Sequence, residues 1–122
     1  LPLSPHLQIY KPQITSLLSI SHRISGVALN FVLVILVLGL LCITLGESYF
    51  ELLISLINSF PIKIIIFLAI LGFSYHFLNG IRHIIWDFGF LLGNRSSAIF
   101  GYIIIATSFI SSIFISRLLG LF

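Results

Sequence analysis

Three long stretches without a charged residue constrain this chain more than any other feature. Between Arg23 and Glu47 lie 23 uncharged residues, between Lys63 and Arg82 lie 18, and between Arg95 and Arg117 lie 21. A bilayer core of about 30 Å needs about 20 helical residues at about 1.5 Å rise each. Within lipid every backbone group must be satisfied internally, which favours helices. The pattern predicts an all-α membrane protein with three transmembrane helices, at about 20–45, 61–89 and 97–119. Only 7% of the 122 residues are charged and 59% are hydrophobic, against about 25% charged in soluble domains. A soluble multi-domain enzyme is excluded.

Other classes fall on simple counts. One cysteine, Cys42, excludes a disulfide within the chain and an iron–sulfur cluster with the usual four ligands. Six Lys and Arg residues make no nucleic-acid footprint. The first stretch is too long for a signal-peptide core, and no small-residue cleavage site follows it. Residues 1–18 carry Pro2, Pro5 and Pro12 with little periodicity, and read as an arm lying on the membrane surface. Residues 19–122 then form the transmembrane domain. Ser59-Phe60-Pro61 suits a cap and first turn for the second span, and Gly93-Asn94-Arg95-Ser96-Ser97 a turn with N-caps for the third. Lys11, Arg23, Arg82 and Arg95 lie on one side and Lys63 and Arg117 on the other. This bias places the N-terminus inside, in matrix or cytoplasm.

Polar residues cluster on that inner side. One cluster runs from Ser19 to Gly26, with Ser19, His22 and Arg23 on one helix face, continued by Gly26 and Asn30. The other runs from His76 to Asp87. There Gly72, His76, Gly80, His83 and Asp87 form one stripe, with Tyr75, Asn79, Arg82 and Trp86 beside it. His76 lies about two turns, or about 10 Å, deeper than His83. Ionisable residues at such depth are costly and mark sites. A neutral imidazole between Gly72 and Gly80 suits haem iron; helix-to-helix hydrogen bonding is the competing reading. His83 shares the His76 face and His22 sits towards the boundary. A second axial ligand is therefore expected from another polypeptide.

His22, Arg23, Arg82 and His83 are placed for haem propionates, or serve as interfacial anchors. Ser19 and Arg23 could hold a quinone carbonyl. Asp87 could relay protons, or pair with Arg82 or Arg23. Trp86 suits an interfacial belt. Ser108, Ser112 and Ser116 form a stripe suited to helix packing or back-bonding.

Leu3-Ser4-Pro5-His6-Leu7-Gln8-Ile9-Tyr10, Ser19-Ile20-Ser21-His22-Arg23-Ile24-Ser25-Gly26 and His76 through Asp87 together resemble the large cytochrome b membrane anchors of succinate dehydrogenase, respiratory complex II. The resemblance spans essentially the whole chain. It implies an anchor that bundles with a small membrane subunit and carries an iron–sulfur subunit and a flavoprotein. It implies a haem b shared with the small subunit, with His76 as this chain's axial ligand and His22 and His83 by the propionates. Ser19 and Arg23 match the family's ubiquinone site. The implied location is the mitochondrial inner membrane, multi-pass with the N-terminus on the matrix side, or a bacterial inner membrane. The chain would be a non-flavin enzyme subunit without succinate-oxidising activity alone. The chain contains no Met and starts within the family's N-terminal segment, as a processed or partial product would. Its heavy Ile usage fits an AT-rich gene. Rival readings are a fumarate reductase anchor, another b-type cytochrome complex, or a non-haem structural or transport subunit.

Overall fold

The structure is a computed structural model, and it describes residues 14–122. Four helices follow one another: α1 (Ile14–Leu45), α2 (Glu47–Asn58), α3 (Phe60–Asp87) and α4 (Asn94–Leu118). No strand occurs among the described residues. Helices α1, α3 and α4 are long and apolar enough to cross a membrane. They are the three spans expected from the uncharged stretches, with shifted ends.

The first shift matters most. The expected surface arm through residue 18 is already helical from Ile14; its residues 1–13 lie outside the described part. No Pro or Gly interrupts Ile14 to Ser25, so nothing stops the helix from starting early. At the other end of the bundle, α3 stops at Asp87, two residues short of the expected end. Gly89 takes φ 85°, its N–H bonds the Trp86 carbonyl, and the Phe90 N–H bonds the Ile85 carbonyl. This paired closure around a left-handed glycine is the Schellman motif. Gly120, at φ 71°, ends α4 in the same way through Arg117 and Ser116.

Two helix starts also differ from expectation. Pro61 occupies the first turn of α3 as foreseen, but the Ser59 hydroxyl donates back to the Leu56 carbonyl of α2 instead of capping α3. Helix α4 begins at Asn94, with the Ser97 N–H bonding the Gly93 carbonyl. Ser97 is thus inside the first turn, and its side chain is free for another use.

Helix α2 was not foreseen. At about 18 Å it is too short to span a bilayer. Phe50, Leu53, Ile54 and Ile57 recur at helical spacing and give it an apolar face. It packs on α1 and α3, with Leu53 against Gly39.

Helix α3 is the centre of the bundle, packing on α4 and on α1. The α3–α4 seam is lined by small and polar groups, including buried Ser97, Gly101, Ser108, Ser112 and Ser116 of α4. The Ser108 and Ser112 hydroxyls bond back to the Ile104 and Ser108 carbonyls. Small side chains let the backbones approach, and back-bonding satisfies the hydroxyls without water. Helix α1 is the reverse case. From Ile24 to Leu45 its Leu, Val and Ile side chains are largely exposed, as suits a face for lipid or another subunit.

Candidate functional site

Antiparallel α1 and α3 bring the start of one beside the end of the other, which joins the two polar clusters. Three imidazoles meet there. The His22 and His76 rings stack with centroids 4.0 Å apart and planes 7° from parallel. The His83 ring lies 5.2 Å from His22 and tilts by 59°. His22 thus sits between the other two, in the third turn of α1 and not at its edge. That place along the helix follows from its early start at Ile14.

His76 is held at one nitrogen. Its Nδ1 lies 3.1 Å from the His22 carbonyl and 3.0 Å from Ser25 Oγ, and the Ser25 hydroxyl donates to the same His22 carbonyl. A carbonyl can only accept, so neutral His76 carries its proton on Nδ1. Its Nε2 lone pair is left available. An imidazole fixed through one nitrogen with the other free is the form that ligates a metal.

The glycines are distributed otherwise than the stripe suggested. Gly26 of α1 receives the His76 ring: a Cβ there would meet His76 Cε1 at 3.0 Å. Gly80 faces His22, at 3.9 Å from a built Cβ, while Gly72 is open and lines a cavity. That cavity is about 410 Å³, lies between α1, α3 and α4, and is almost wholly apolar. The Tyr75 hydroxyl closes one side by donating to the Leu18 carbonyl at 2.5 Å.

The His22 and His76 rings lie flat together, so their ring nitrogens do not face each other across a gap. Among the described residues no group of three metal-ligating side chains forms a metal site.

Arg82 is the largest departure. It is fully buried, as is Asn79. Its guanidinium donates to Asn79 Oδ1 at 3.2 Å and to Ser97 Oγ at 3.0 Å, and lies 4.0 Å over the Trp86 ring. It is not a snorkelling anchor. Nor does it pair with Asp87, which is exposed; no ion pair forms among the described residues. Arg82 finds neutral acceptors and an aromatic face instead, which hold the buried cation in a bundle short of carboxylates, while its Nε has no partner among the described residues. Trp86 also donates from Nε1 to the Leu91 carbonyl, tying the α3–α4 loop down.

Ser19 and Arg23 stand apart from the imidazoles. Ser19 is half-buried and Arg23 exposed, one turn further along α1. Arg23 borders a shallow apolar groove of about 450 Å³ with Ile24, Val27, Ala28 and Phe31. The structure thus gathers His22, His76 and His83, and leaves Arg23 and Asp87 exposed and Ser19 half-buried outside the cluster. Ser25 and Ser97 were missed as partners. Ser25 had a signal, lying three residues after His22; Ser97 had none, because its partner is 15 positions away.

The fold and site define a polytopic helical membrane subunit with an imidazole cluster near one end of its bundle. The chain belongs to the succinate dehydrogenase/fumarate reductase transmembrane subunit family, whose model matches residues 1–115. It is 44% identical over 107 residues to the succinate dehydrogenase cytochrome b556 subunit of Rickettsia typhi, covering 88% of this chain and 83% of that one. It is 45% identical over 97 residues to the cytochrome b560 subunit of Marchantia polymorpha, covering 75% and 70%. With the cytochrome b560 subunit of Chondrus crispus it shares 46% identity over 99 residues, covering 75% and 74%. The chain is thus a membrane subunit of the succinate dehydrogenase type, part of an enzyme complex.

Proposed function

We propose that this chain is the larger cytochrome b anchor of a succinate:ubiquinone oxidoreductase. In this reading it holds the iron–sulfur and flavoprotein subunits at an inner membrane, mitochondrial or bacterial. The N-terminal end of α1 and the α3–α4 loop face the matrix or cytoplasm. It shares a haem b with a small anchor subunit, which provides the second axial histidine. The observation that carries the reading is His76, held at Nδ1 by α1 with Nε2 free.

Haem b, when bound, supplies one-electron redox chemistry. The chain's own residues position it. Ser25 and the His22 carbonyl orient the His76 ring, and Gly26 gives that ring room. His22 and His83 offer N–H donors beside it for carboxylate groups. The exposed outer face of α1 suits the small anchor subunit, because an apolar helix in lipid can exchange acyl chains for another helix at little cost.

Ser19 and Arg23 form this chain's part of the quinone site. Arg23 brings a permanent positive charge to the bilayer edge, where negative charge developing on a carbonyl oxygen is stabilised. Ser19 donates a hydrogen bond to the same headgroup, and the groove of Ile24, Val27 and Phe31 accepts an apolar tail. Asp87, exposed at the end of α3, can pass protons from the aqueous side.

The test is a pyridine haemochrome spectrum of the purified complex, with its polypeptides identified, for the parent and for His76→Ala. A b-type signal in the parent that is lost or shifted in the variant supports the reading. A parent complex without haem, or an unchanged variant spectrum, overturns the haem assignment.

A further inference from the structure

The buried chain of polar contacts around Arg82 does more than join two helices. It runs from Ser97 of α4 through Arg82 and Asn79 to His83. Arg82 Nη1 is 3.2 Å from Asn79 Oδ1, and Asn79 Nδ2 is 3.5 Å from His83 Nε2. A guanidinium has donors only, so the amide oxygen must face Arg82. The amide nitrogen must then face His83. An amide N–H can only donate, so His83 Nε2 must accept and carries no proton. Neutral His83 therefore holds its proton on Nδ1, the nitrogen that Asn79 does not engage.

We propose that Arg82 is a positioning residue which, by fixing the orientation of the Asn79 amide, sets His83 in its Nδ1–H form. The side chains of this relay are built for it. Arg82 and Asn79 are both fully buried, so water does not compete for the amide. Ser97 and the Trp86 ring hold the guanidinium from two other directions, so it cannot swing away from Asn79. Trp86 also meets His83 edge-on, with centroids 5.0 Å apart, which restrains the ring against flipping. An imidazole so held presents one N–H donor in a defined direction. That donor suits an anionic oxygen beside the cluster, a role that rests on the reading of His83 as a neighbour of the haem carboxylates. The tautomer itself does not depend on that reading.

The experiment is ¹⁵N spectroscopy of the assembled complex labelled at histidine, with the His83 signals identified by their loss in His83→Gln. In the parent, His83 shows a protonated Nδ1 and an unprotonated Nε2. Asn79→Asp keeps an acceptor for Arg82 but replaces the amide donor by a second carboxylate oxygen, so His83 Nε2 gains a proton. Arg82→Gln lets the amide turn, and His83 shows both forms. If Arg82→Gln fails to assemble, Asn79→Asp still decides, because Arg82 keeps its contact with α4. A protonated Nε2 in the parent, or an unprotonated Nε2 in Asn79→Asp, overturns the proposal. A complex that lacks the b-type spectrum but shows the expected tautomers refutes the haem reading alone.

Discussion

His22 lies flat against His76, the two rings 4.0 Å apart and 7° from parallel, while the His22 carbonyl engages Nδ1 of the same His76. One residue of α1 thus fixes both the face and the edge of the deepest imidazole on α3. Gly26, one turn further along α1, completes the seat.

This seat has no spare room. In Gly26→Ala the new Cβ would stand 3.0 Å from His76 Cε1, closer than ordinary contact. The ring must shift by a few tenths of an ångström, and its bond to Ser25 lengthens. We expect the variant to assemble with a displaced b-type absorption band and a changed haem midpoint potential. A spectrum and potential identical to the parent would show that the ring is not seated on Gly26.

Gly101 makes the corresponding contact between α4 and α1. A Cβ there would overlap Leu18 Cδ1, and Leu18 is buried. Overpacking of this kind costs about 1–3 kcal/mol. Gly101→Ala should lower the thermal stability of the purified complex, and adding Leu18→Ala should restore part of it. Thermal unfolding followed by scanning fluorimetry in one detergent is the measurement.

Ser97→Ala removes the hydroxyl that accepts from Arg82 at 3.0 Å. A hydrogen bond to a charged group contributes about 1.5–3 kcal/mol. The loss falls at the α3–α4 seam, so the loop between these helices should open to protease more readily than in the parent. Equal cleavage rates would mean that Arg82 is held by its other partners alone.

Ser19→Ala and Arg23→Leu address the quinone. Losing a bond to a developing charge of about 1.5–3 kcal/mol corresponds to a rate loss of roughly ten- to hundred-fold. Succinate–quinone turnover should fall by that order in each variant. Succinate oxidation with an artificial acceptor that bypasses the membrane should be unaffected. Full quinone reductase activity in both assembled variants would place the quinone elsewhere.

Much of this was legible in the sequence because lipid imposes a one-dimensional code. Charge is excluded from a bilayer core, so three uncharged runs are enough to mark α1, α3 and α4 and to pair their polar ends. The packing face of Ser108, Ser112 and Ser116 could likewise be read from spacing, since it is local to one helix; the expected back-bonds form at Ser108 and Ser112, while the buried Ser116 hydroxyl has no partner among the described residues. Helix α2 escaped because it is short and ends at residues common to any loop, and only its contact with α1 and α3 sustains it.

The sequence by itself determined which residues could carry chemistry: His76 deep in a span, with His22, His83, Ser19, Arg23 and Asp87 towards the polar end. Only the tertiary structure decided how they divide. Adjacent residues on a helix point about 100° apart, so His22 turned into the cluster while Arg23 remained on the surface. Arg82 lost its expected carboxylate because the nearest available acceptors were Asn79 and Ser97, and Ser97 reached it from a separate helix. Helical spacing sorts residues within one helix, but the azimuth at which two helices meet is set by packing along their whole lengths. No local pattern of residues records that angle.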